Sequence, residues 1–188
     1  MAPISILKGE LIIMKAYKLF KIKNGKLYPL YIYANEEVPM GVWLDAKVGR
    51  LSSDGNHVKS KLGDLALRPG WHSCQWPLAT HIGKKSSDGT LVQAKDTVWC
   101  EIEIRDDIDY TPLARRNGTK KNGKVNLAKC CLKSVPVGGM YTFRTNPLAK
   151  VTWYISGEIM VNRILSNDEV AVLCRENGLE PQRLEVAS

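Results

Sequence analysis

Residues 67–83, LRPGWHSCQWPLATHIG, concentrate side chains able to bind, ligate or react. Arg68, Trp71, His72, Cys74, Trp76 and His81 stand close together there, broken by Pro69, Gly70 and Pro77. As zinc ligands, His72, Cys74 and His81 would read H-x-C-x6-H, with Cys100, Cys130 or Cys131 completing a tetrahedron. That spacing matches no familiar zinc module, and no metal is expected. Cys74 beside His72 or His81 is a conceivable nucleophile, but no third group stands ready to orient the pair. A zinc deaminase would need H-x-E and P-C-x-x-C, and both are absent, as are a Walker loop and G-x-G-x-x-G. The plain structural alternative is a buried polar turn. In it Arg68 bonds backbone carbonyls, Trp71 and Trp76 fill the core, and His72 makes an internal hydrogen bond.

The elements that must position this stretch read as strands with polar interruptions. AYKLFKIKNGKLYPLYIY is a hairpin signal, since Asn24-Gly25 supplies two residues that tolerate positive φ in a type I′ turn. Pro29 pushes the second strand toward an edge. EEVPMGVWLDA, residues 36–46, is too broken by Pro and Gly for a helix. TVWCEIEIR, residues 97–105, alternates, with Val98, Cys100, Ile102 and Ile104 on one side and Glu101 and Glu103 on the wet side. Further strands are expected at 129–135, 140–144, 151–156 and 159–164. Polar segments 49–64, 84–96 and 115–126 read as connectors, and two share Ser-Ser-Asp-Gly as common turn chemistry. One helix is well signalled: Ser166 caps it, Glu169 completes a capping box and Gly178 stops it. The expected fold is a strand-dominated, antiparallel-rich α+β domain with few helices, residues 14–188, preceded by an extension or added edge strand at 1–13.

Composition narrows the class. The chain has 188 residues, 44% hydrophobic and 24% charged, as a soluble globular protein has. No run approaches the 18 or so apolar residues of a membrane span, so neither a span nor a signal peptide is expected. Five cysteines form no C-x-x-C and are odd in number, which points to free thiols in a reducing cytoplasm. Cys130 and Cys131 would place their thiols on opposite faces of a strand. The net charge is +8, and Arg115, Arg116, Lys120, Lys121 and Lys124 crowd one short run without an acid. That run is a candidate nucleic-acid contact or a solvated loop.

The order of elements resembles the ADP-ribosyltransferase-like fold across roughly residues 14–166. AYKLFK stands where such folds have a first strand bearing a cation, with Lys18 in place of the usual Arg or His. GWHSCQWPLATHI stands for the aromatic-Ser-small stretch, with His72-Ser73-Cys74 in place of S-T-S. VTWYISGEIMVNRIL supplies a late Glu, Glu158, with Ser156 where many members carry a second acid or Gln. The chain also resembles proteins of phages and gut-bacterial mobile elements that share R-P-G-W-H and P-L-A-x-H-I. The resemblance implies a split sheet and a site for NAD or a related nucleotide. Arg68 or His72 would be the anchor, Trp71 or Tyr154 the aromatic platform, and Ser73 a further contact. Glu158, with His72, would do the catalytic work. It also implies ADP-ribose transfer to a host macromolecule, protein or nucleic acid, in the host cytoplasm. The competing expectation is a non-enzymatic basic phage protein that binds nucleic acid or blocks a host defence complex.

Overall fold

Alternation along the first strand decides the architecture. In β1 (Ile13–Lys23), Ala16 and Phe20 are buried on one side and Tyr17 and Leu19 on the other. A strand buried on both faces must lie inside a sheet that is covered twice. The computed structural model describes residues 13–118, 120–121, 123–125, 131–144 and 150–185. β1 turns through Asn24 and Gly25, at φ 51° and 74°, into the short β2 (Lys26–Tyr28). After β2 come β3 (Trp43–Asp45), the hairpin of β4 (His57–Ser60) and β5 (Gly63–Ala66), and β6 (Trp71–Cys74). A second hairpin, β7 (Lys84–Lys85) with β8 (Leu91–Val92), leads to the long β9 (Thr97–Arg105) and to β10 (Ile108–Asp109). Helix α1 (Thr111–Arg116) precedes a third hairpin, β11 (Lys120–Lys121) with β12 (Lys124–Val125). The chain then adds β13 (Gly139–Phe143), β14 (Trp153–Ser156), β15 (Glu158–Ile164) and helix α2 (Asn167–Glu176).

One nine-stranded sheet of order β10-β13-β14-β6-β1-β9-β15-β3, with β2 on β1, carries the domain. All its pairings are antiparallel except β10 with β13. β14 and β15 are two parts of one run, separated by Gly157 alone, yet they pair with different neighbours. The pairings therefore form a ring: β1 to β9 to β15, through Gly157 into β14, then β6 and back to β1. Within it sits a core built on Ala16, Phe20, Cys100, Ile102, Ile104, Ile159 and Val161. On the opposite face α2 packs Val170 and Cys174 against Tyr17, Leu19 and Trp99.

The α2 signals act as expected. Ser166 Oγ accepts from the Glu169 N–H, and Glu169 Oε2 accepts from the Ser166 N–H at 2.7 Å. Three expectations are corrected. The polar segments contain hairpins as well as connectors; Ser-Ser-Asp-Gly makes tight turns, before β4 and between β7 and β8, where Ser52 donates to Asp54 and Ser86 to Asp88, with Gly55 and Gly89 at positive φ. Residues 131–135 form no strand, and the rest of that expected element, with Cys130, lies outside the described residues. α1 was not foreseen, since Tyr110 caps it without a side-chain bond and no capping box announces it. β1 begins at Ile13, and residues 1–12 lie outside the described part. No helix among the described residues is long and apolar enough to cross a membrane.

Candidate functional site

Residues 67–83 reach the sheet through Gly70, at φ 130°. There a Cβ would stand 2.3 Å from Ile155 Cγ2 and 3.2 Å from the Ser156 carbonyl. Only glycine permits so close an approach with that backbone. β6 then pairs with β14 in the register Ser156↔Trp71, Ile155↔His72, Tyr154↔Ser73 and Trp153↔Cys74. Strand alternation sends Trp71 and Ser73 to one face and His72 and Cys74 to the other. Tyr154 shares the face of Trp71 and Ser73, because directly paired residues point the same way.

On that face the register assembles a row across four strands. Cys100 of β9 stands opposite Lys18 of β1, and one step from the Tyr17↔Cys74 pair places Lys18 beside Ser73, which faces Tyr154. Lys18 Nζ donates to the His72 carbonyl at 2.7 Å and lies 5.3 Å from the centre of the Trp71 ring and 5.4 Å from that of Phe20. Burial pulls its ammonium pKa down to about 8. The Ser73 and Ser156 hydroxyls are fully buried and have no hydrogen-bond partner among the described residues. Trp71 Nε1 donates to the Leu44 carbonyl, which pins the ring against β3.

Beside this row opens a cleft of about 760 Å³. Tyr31, Tyr33, Trp43, Trp71, Phe143 and Trp153 give it aromatic walls, and Arg68, His72 and His81 add polar groups. The Arg68 guanidinium sits 4.2 Å from the centre of the Phe143 ring, within cation–π range. His81 meets Trp153 edge-on at 5.2 Å, and burial lowers its pKa.

His72 Nε2 lies 2.9 Å from the Arg68 carbonyl, which can only accept, so Nε2 carries the proton. Burial drives the His72 pKa down to about 4 against that bond. The imidazole is neutral at pH 7 and unsuited to gripping a phosphate. Between pH 6.5 and 4 the unfolded chain protonates this histidine and the native chain does not, so stability falls as pH falls through that window. The full difference corresponds to about 3 kcal/mol, reduced in practice by the partial exposure of the ring. We expect melting temperature to fall less steeply from pH 6.5 to 4 in His72→Gln, measured by calorimetry. Parallel curves for variant and parent would show that another group carries the acid sensitivity.

The predicted residues thus divide. Arg68, Trp71 and His72 line the cleft; Ser73 and Tyr154 belong to the row beside it. Glu158 is not among the lining residues. It is buried, accepts from the Gly138 N–H at 3.0 Å and pairs with Arg105 at 3.2 Å. The cause is Gly157: Ile159 and Val161 share the inner core with Tyr154, so alternation slips by one residue there and Glu158 turns away from the Tyr154 face. Arg115 and Arg116 occupy the last turn of α1, and Lys124 is exposed in the hairpin that follows; Lys120 and Lys121 are the paired strand β11. No three His, Cys, Asp or Glu side chains gather as a metal site among the described residues. Sequence reasoning passed over Tyr33, Trp43 and Phe143, which come from separated segments with no shared spacing. No family model, no curated protein and no solved structure matches the chain.

Proposed function

We propose that the cleft binds NAD or a related nucleotide, in a domain of the ADP-ribosyltransferase-like layout. The observation that carries this reading is the Arg68 guanidinium, set on the Phe143 ring in a cleft walled by aromatic side chains. A planar cation of this kind suits a diphosphate, and aromatic walls suit the flat rings at either end of a dinucleotide. Lys18 beside Ser73 adds a first-strand cation next to the serine of the second stretch, although that layout usually has Arg or His there. When bound, NAD would supply an ADP-ribosyl group with nicotinamide as its leaving group, for transfer to a host macromolecule. Glu158 is engaged by Arg105, and the carboxylates that line the cleft are Glu36, Glu37 and Asp45.

Thermal shift tests the binding half. At a concentration of NAD one hundred times its Kd, linkage adds about 2.7 kcal/mol. For a chain of this size that is a rise of about 5–10 °C. Arg68→Ala should abolish the rise. Glu158→Gln should melt earlier than the parent, having weakened a buried carboxylate–Arg105 pair, yet keep the rise with NAD. An unaltered NAD response in Arg68→Ala would remove the cleft from the nucleotide reading. Nicotinamide release by the parent and its loss in Glu158→Gln would return Glu158 to the chemistry.

A further inference from the structure

Tyr33 is the second non-glycine residue at positive φ among the described residues, at 53°, the other being Asn24 of the hairpin turn. Asparagine visits this region at small cost, whereas a bulky aromatic residue does so rarely and under strain. The chain places tyrosine there although the residue stays 40% exposed, so part of the ring is left facing outward. Two contacts hold it. Its hydroxyl donates to the Val48 carbonyl at 2.8 Å, and Lys47 Nζ lies 5.4 Å from the ring centre. Lys47 in turn donates to Glu36 Oε2 at 2.6 Å, and the Glu36 N–H donates to the Tyr33 carbonyl. The ring is therefore fixed at its rim and backed by a cation, in a cleft that also contains Arg68.

We infer that Tyr33 is the stacking platform of the cleft, receiving a planar aromatic ring of an anionic ligand. This deepens the nucleotide reading above and rests on it for the identity of the ligand. An aromatic side chain pre-set by its backbone loses little freedom when a flat ring settles on it, which is the use to which local strain is put at binding sites. Stacking of one base is worth enough that its loss lowers affinity by about tenfold or more.

Two probes keep the platform separate from the nucleotide. NAD reports the proposed ligand; 8-anilinonaphthalene-1-sulfonate, an anion with a flat naphthalene ring but no ribose or phosphate, reports the platform through its fluorescence. Tyr33→Ala and Tyr33→Gly should each bind both probes about tenfold more weakly, while Tyr33→Phe, which keeps the ring and loses the hydroxyl bond, should stay within about twofold of the parent. Tyr33→Gly should also melt above Tyr33→Ala, since glycine alone is relaxed at this φ. Sulfonate binding that depends on Tyr33, with no response to NAD, keeps the platform and ends the nucleotide reading. A response to NAD that is unchanged in Tyr33→Ala and Tyr33→Gly ends the platform and keeps the nucleotide. Equal loss in Tyr33→Phe and Tyr33→Ala, or an alanine variant that melts at or above the glycine one, would also overturn the inference.

Discussion

Lys18→Met is expected to raise the melting temperature at pH 7 and to lose that advantage at high pH. The native ammonium titrates at about 8, against 10.5 in the free side chain. Below pH 8 both native and unfolded chains hold the proton, and the native one bears the full cost of a poorly solvated charge. Between pH 8 and 10.5 the native chain releases it first, the unfolded chain binds more protons, and stability rises with pH. The shift corresponds to about 3 kcal/mol. Methionine forfeits the ammonium's hydrogen bond to the His72 carbonyl, which takes back about 2 kcal/mol. A net gain of about 1 kcal/mol remains at pH 7, or about 2–4 °C in a chain of this length. The gain should shrink steadily as pH approaches 10.5. Calorimetry of parent and variant from pH 7 to 10.5 measures it; a constant difference would show that Lys18 is solvated in the native state.

Gly157→Ala should be more damaging still, in the opposite direction. A Cβ there would meet the Pro136 carbonyl oxygen at 2.0 Å, its carbon at 2.5 Å and the Val135 oxygen at 2.8 Å, all of them backbone. Nothing flexible stands in the way to yield. Gly157 also donates to the Gly139 carbonyl and accepts from Ala46, so moving it disturbs the joins to β13 and β3 together. The loss should reach about 3–5 kcal/mol, the upper range for single substitutions. That is a fall of about 6–20 °C, or failure to fold. Denaturant unfolding of the purified variant decides the point. A midpoint within the error of the parent would mean that residues 135–136 move aside freely.

Legibility in the sequence followed the range of the interactions. The Asn24-Gly25 turn, the alternating β9 and the capped α2 are written in neighbouring residues, and all three stand where expected. Pro29 follows directly on a β2 of three residues that lies off the main strand path. Arg68, Trp71 and His72 could be picked out because proline and glycine gather them into one short stretch, and they do share a cleft. Glu158 could not be placed. Its direction depends on a one-residue slip at Gly157, and its partner Arg105 is 53 positions earlier. Tyr33 was hidden for another reason: its strained φ is imposed by loops that meet only in the folded chain. Lys18 was visible as a lysine within an otherwise apolar alternation, but the row that surrounds it comes from registers between strands, which no local pattern specifies.

The ring of pairings also determines when this chain can fold. β1 joins Ile13 to Arg105, and β6 joins Cys74 to Trp153, so each closure spans about eighty residues or more. Contacts that distant slow folding toward the millisecond-to-second range, whereas the β1–β2 hairpin alone can form in microseconds. On the ribosome the long apolar strands β1 and β9 are made well before β14 and β15, the run that completes the ring. At about 5–20 residues per second, β6 and β9 wait several seconds for β14 and β15, their partners on the far side from β1. During translation the open edge of that half-built sheet, rather than the finished domain, is the form a chaperone would meet.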